Sequence, residues 1–158
     1  MFSAQLSQIR TTSDNEGAFE LQVQEDGLYD LELRPPNHAP MIVYGMKVAE
    51  PNPVIRLTEG GAIEGYLTEQ LLPFVRKPIA GVTVKASCVD RSSFSYINPL
   101  TAVTDAKGFF RFEHVRPILK DHGGKWLPRE WIIEYGGAKQ KGIVEEGKVV
   151  ENVVLTVK

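Results

Sequence analysis

Thr104-Asp105-Ala106-Lys107-Gly108-Phe109-Phe110-Arg111-Phe112 decides the fold, because Ser13-Asp14-Asn15-Glu16-Gly17-Ala18-Phe19-Glu20-Leu21 repeats it position for position 91 residues earlier. In both stretches an Asp precedes a Gly by three residues, with alternating apolar and polar residues behind it. An Asx-type bond from the Asp side chain closes a hairpin turn, the Gly takes φ above zero, and the next aromatic points into a core. The motif is a folding signature of antiparallel sheet and carries no chemistry of its own.

Outward from this turn the duplication continues. Tyr29-Asp30-Leu31-Glu32-Leu33 parallels Trp131-Ile132-Ile133-Glu134-Tyr135, and Asn52 to Leu57 parallels Asn152 to Val157, with slightly larger offsets that place an insertion in the second copy. Strand-like alternation also marks Ala18–Val23, Leu28–Leu33, Gly81–Ala86, Phe109–His114 and Val150–Val157. Ten prolines and fourteen glycines leave little room for helices, and no long stretch carries apolar residues at helical spacing. The expectation is an all-β chain of about twelve short strands with essentially no helix, arranged as two tandem Greek-key β-sandwich units.

The units divide as residues 1–59 and 60–158. The second is complete, with about seven strands beginning at Ala62–Leu67 and closing at Val150–Val157. The first has no counterpart of Ala62–Leu67 or Gly81–Ala86 and is expected to lack its first two strands, leaving sheet edges and an apolar face uncovered. Phe2 to Arg10 has the character of an internal strand, so a preceding neighbour, a second copy of the chain or the second unit is expected to fill the gap. Self-association through unpaired edges, or weaker hydrogen-exchange protection in the first unit, follows. The alternation assigns Phe19, Leu21, Leu31 and Leu33 to the core of the first unit, and Val82, Val84, Phe110, Phe112 and Ile133 to that of the second.

Composition narrows the function classes. At 158 residues the chain holds one large or two small domains, and 42% apolar with 24% charged residues is ordinary globular usage. Eighteen basic and twenty acidic residues are dispersed, giving a net charge of −2 without the basic clusters that a phosphate backbone would select. Nucleic acid is not an expected partner. No apolar run is long enough for a membrane span, and the first residues lack the pattern of a signal peptide. The single cysteine, Cys88, ends an apolar alternation and is expected in the core.

No catalytic or metal constellation stands out, and no cofactor is expected. The three histidines, His38, His114 and His122, are not at paired-ligand spacing. His114, His122 and Asp121 could be drawn as a metal site, but a strand end and a Gly-containing loop explain them more simply. Asp14-Asn15-Glu16-Gly17 lacks the alternating ligands and distal Glu of a calcium loop, so it is expected to be a turn. No G-x-S-x-G elbow is present.

Gly61-Ala62-Ile63-Glu64-Gly65-Tyr66-Leu67, then Pro78-Ile79-Ala80-Gly81-Val82-Thr83-Val84, then Thr104 to Phe112 and a late aromatic strand, follow one another in the order of a known pattern. This ordered set resembles the carboxypeptidase regulatory-like domain, a prealbumin-like or immunoglobulin-like β-sandwich, and the first unit carries the later part of the same pattern. The resemblance implies a non-catalytic module, often repeated in exported or cell-surface bacterial proteins. Pilin-type relatives of this fold form Lys–Asn crosslinks, for which Lys85 and Asn152 are the candidates here. Enzymes of the prealbumin-like fold include iron dioxygenases that need two Tyr and two His, and the histidines here do not match.

The function implied is a structural or adhesive spacer of a larger exported or cell-surface protein, with flanking domains and a protein or glycan ligand as its partners. The alternative is a carbohydrate-binding module. In that case Phe94 and Tyr96, in the loop Asp90 to Pro99, converge with Trp126, in the loop Arg116 to Arg129, as a stacking platform. The simpler expectation for these aromatics is packing against the first unit. An enzyme of the prealbumin-like fold is the third possibility.

Overall fold

The computed structural model describes residues 9–23, 26–48, 54–88, 99–116, 119–120, 126–127 and 130–158. These residues hold strands and no helix: β1 (Leu28–Leu33), β2 (Met41–Lys47), β3 (Gly61–Leu72), β4 (Val75–Pro78), β5 (Thr83–Cys88), β6 (Leu100–Val103), β7 (Phe109–Val115), β8 (Leu119–Lys120), β9 (Trp126–Leu127), β10 (Glu130–Tyr135), β11 (Ala138–Ile143) and β12 (Val149–Val157). The protein is therefore all-β. Two compact units emerge, one of Met1–Glu32 with Ile42–Ile55, the other of Leu33–Met41 with Arg56–Lys158.

The first unit contains the β1–β2 sheet and the Asp14 turn. Asp30 Oδ1 accepts a hydrogen bond from the Gly45 amide at 3.0 Å. Ala18–Val23, expected as a strand, forms no ladder in the described residues. The expected core is also corrected: Phe19 is 36% exposed, and Leu21, Leu31 and Leu33 are only half-buried. An apolar side chain is buried only where a second layer covers it, and no such layer lies over these four among the described residues of this unit.

The second unit is a sandwich of two four-stranded sheets. In one, β3 is central: β12 runs parallel along one edge from Ala62 to Glu69, while β7 pairs antiparallel with Gly61–Tyr66 and β4 with Thr68–Leu72. In the other the order is β11-β10-β5-β6, all antiparallel. β8 and β9 form a small separate pair. Period-two alternation turns Ile63 and Leu67, Val84 and Ala86, Phe110 and Phe112, Trp131 and Ile133, and Val153 and Leu155 into one buried cluster drawn from both sheets. Of the expected core, Val84, Phe110, Phe112 and Ile133 are buried, and Val82 and Cys88 pack against the cluster half-buried. Pro78 ends the edge strand β4, where a missing N–H costs no ladder bond.

One irregularity shapes the centre. The register of β12 on β3 shifts between Val150 and Val153, and Asn152 takes φ 60° in the resulting bulge. This sets the Val153 carbonyl against the Cα of Gly65, where a Cβ would collide with it. Gly65 is thus required by the bulge and not by its own dihedrals.

The two copies of the decisive turn have the same internal bonding. Asp105 Oδ1 accepts from the amides of Lys107 and Phe109 at 2.8 Å each, and Asp14 Oδ1 from those of Glu16 and Ala18 at 2.9 Å each. Gly108 and Gly17 both take positive φ, 75° and 82°. Their surroundings differ. The Gly108 carbonyl accepts from the Leu67 amide of β3 at 2.8 Å, and a Cβ on Gly108 would strike the Leu67 carbonyl. Thr104 is buried, its Oγ1 accepting from the Val82 amide at 3.2 Å. A Cβ on Gly17 would meet nothing within 4 Å, and Ser13 is exposed. The repeated residues code the turn, and what they clamp onto in the second unit is β3 and the approach to β5.

Two outcomes follow for stability. Gly17→Ala is expected to cost about 1 kcal/mol from φ alone, and Gly108→Ala clearly more, because it also collides with β3. Urea denaturation of the two variants measures the difference, and equal losses would contradict the clamp. Phe110→Ala is expected to cost about 3 to 5 kcal/mol in the same assay; an unmoved midpoint would show that β7 faces the other way.

Candidate functional site

The aromatic platform expected at the loop end is not brought together by the described residues. Phe94 and Tyr96 lie outside them, and so do Asp121 and His122. Trp126 lies in β9 with its backbone opposite Lys120 of β8. His114 has φ 52°, with Nδ1 3.1 Å from the Glu59 carbonyl, so it serves the junction between β7 and the start of β3. Lys85 and Asn152 are both exposed, one on β5 and the other in the β12 bulge of the opposite sheet. The Lys–Asn crosslink is thereby excluded, since such a bond requires the two side chains to meet.

The outer face of the β11-β10-β5-β6 sheet is mostly polar, with Val103 and Ile143 also exposed on it. Lys139, Glu134, Lys85 and Thr101 sit opposite one another across its four strands. Lys139 pairs with Glu134 at 3.1 Å and Lys141 with Glu130 at 2.7 Å. A shallow hollow of about 310 Å³ opens beside Lys85, Glu134 and the Gly136-Gly137 turn. Exposed pairs of this kind contribute about 0 to 1 kcal/mol each and leave the face solvated. The outer face of the other sheet carries Tyr66 edge-on to Phe109, centroids 5.5 Å apart, beside the Arg111–Glu64 pair at 2.5 Å.

The most unusual surface is the β3–β4 hairpin. Beyond Tyr66, β3 outruns β7, and beyond Glu69 it outruns β12, so its last residues are paired with β4 alone. The turn is Pro73-Phe74, flanked by the Leu72–Val75 pair. Turn positions ordinarily hold Gly, Asn or Asp; here Phe74 is 99% exposed, with Leu72 at 62%, Leu71 at 52% and Val75 at 45%. Arg76 and Lys77 follow directly, opposite Gln70 and Glu69. An exposed run of apolar residues at a projecting tip marks a contact surface.

This tip was not among the site residues expected from sequence. The signal was present as Leu71-Leu72-Pro73-Phe74-Val75, an uncharged run across a proline turn. Set apart from sheet geometry, such a run is indistinguishable from a buried strand, because exposure depends on where β7 and β12 stop.

Compared with protein-family profiles, with curated proteins and with solved structures, the chain shows no match.

Because Phe74 is almost fully exposed, Phe74→Ala is expected to leave the urea midpoint within about 0.5 kcal/mol of wild type. A larger loss would mean that the tip packs against something in the folded chain.

Proposed function

We propose that the chain is a non-catalytic, tandem β-sandwich spacer or adhesive module of a larger exported or cell-surface protein, of the carboxypeptidase regulatory-like kind. The observation that carries this reading is the parallel β3–β12 pair. Because both strands run the same way, the polypeptide enters this sandwich at the foot of β3 and leaves it at the head of β12, at opposite ends of the unit. A module with its ends apart adds length to a chain, whereas one with adjacent ends adds a side branch. The recurrence of one turn, bond for bond, at Asp14 and Asp105 supports a tandem origin with units divided near residue 59. Tandem arrays of this kind serve reach and presentation.

A tension applied to the chain ends loads β3 against β12 in shear, so the ladder bonds between them act together. Single-molecule stretching of the full chain is therefore expected to show one abrupt event. The length released by Gly61–Val157 is roughly 300 Å, taking about 3.5 Å per extended residue and subtracting the folded span. Gradual extension without such an event would sink the spacer reading. Retention on a glycan array that is lost when Phe94, Tyr96 and Trp126 are changed together to Ala would establish the carbohydrate-binding alternative instead.

A further inference from the structure

We infer that the β3–β4 hairpin tip is a membrane-docking element that inserts Leu71, Leu72, Phe74 and Val75 into the surface of an anionic lipid bilayer. The inference stands apart from the spacer reading, and its failure would leave that reading untouched.

Three features favour lipid over a protein partner. Leu71, Leu72, Phe74 and Val75 are all exposed one after another around the turn, so the fold covers neither face of the hairpin tip. The apolar surface surrounds the tip. A groove on a protein touches one face of a hairpin, whereas a bilayer surrounds whatever enters it. The tip is also convex and closed by Pro73, which brings no N–H to be satisfied in an apolar medium. Finally, Arg76 and Lys77 stand one and two residues behind Val75, about 7 to 10 Å from the apex, while interfacial insertion reaches roughly 5 to 10 Å. At that depth they meet lipid phosphates. Glu69 lies opposite Lys77, so the collar keeps one net positive charge locally although the whole chain carries −2. The apolar tip is therefore the main source of affinity, and the anionic lipid adds to it.

The test is sedimentation of the full chain with vesicles of phosphatidylcholine alone and of phosphatidylcholine with phosphatidylserine, at low and high salt. Binding is expected to the mixed vesicles and to weaken with salt. Phe74→Ser is expected to weaken it at least about tenfold, and Arg76→Ala with Lys77→Ala about fivefold for each charge removed. In Phe74→Trp, indole emission is expected to shift to the blue on adding vesicles. Circular dichroism and urea midpoints equal to wild type show that these variants fold. Wild-type chain left in the supernatant with both vesicles would overturn the inference, as would equal binding by Phe74→Ser. Self-association that Phe74→Ser abolishes, without vesicle binding, would reassign the tip to a second copy of this chain.

Discussion

The second unit depends on one constraint: β3 must be hydrogen-bonded on both edges while its inner face is closed by the opposite sheet. β12 occupies one edge, and β7 and then β4 share the other. The close approach on the β12 side is possible because residue 65 is glycine, and the β7 side is fixed where the Gly108 carbonyl takes the Leu67 amide. Ile63 and Leu67 then join Phe110 and Leu155 of the same sheet and Trp131 of the opposite one in the shared core. Fully burying a side chain of this size contributes about 1.5 to 3 kcal/mol, so the register of this single strand governs most of the favourable burial. The indole of Trp131 adds a specific tie, donating to the Arg116 carbonyl at 3.1 Å.

The two copies of the Asp–Gly turn separate local from non-local determinants. The two side-chain-to-backbone bonds of each turn and the positive φ of its glycine are the same in both, so they are properties of the short sequence. Burial is not. Phe110 is fully buried in the cluster that both sheets share, whereas Phe19 is exposed. A strong turn thus forms without supplying a ladder or a core, as expected when sheet stability comes from cross-strand and cross-sheet packing.

Much of the second unit was legible in the sequence because its strands alternate cleanly. Phe109–Val115 and Val149–Val157 differ from expectation by about one residue at an end and Thr83–Cys88 by about two at each end, while in the first unit Leu28–Leu33 has the expected bounds. Less legible was anything set by strand length. Val75–Pro78 is not among the expected strands; two of the six residues from Pro73 to Pro78 are prolines, yet an edge strand accommodates Pro78. The exposed tip at Phe74 follows from β3 extending past its neighbours, which no local pattern encodes. Gly65 and Thr104 were hidden for a related reason: each is required by a residue far away in sequence, Val153 and Val82.

Native-state hydrogen exchange of the full chain, followed residue by residue, tests most directly the claim that the second unit is one cooperative sandwich centred on β3. The amides of Ile63 to Leu67 in β3, Val153 to Leu155 in β12 and Trp131 to Ile133 in β10 are expected to share a single highest opening free energy, while those of β1 and β2 open at a distinctly lower one. Protection of β1 and β2 equal to that of β3, or a β3 that opens ahead of β10, would contradict it.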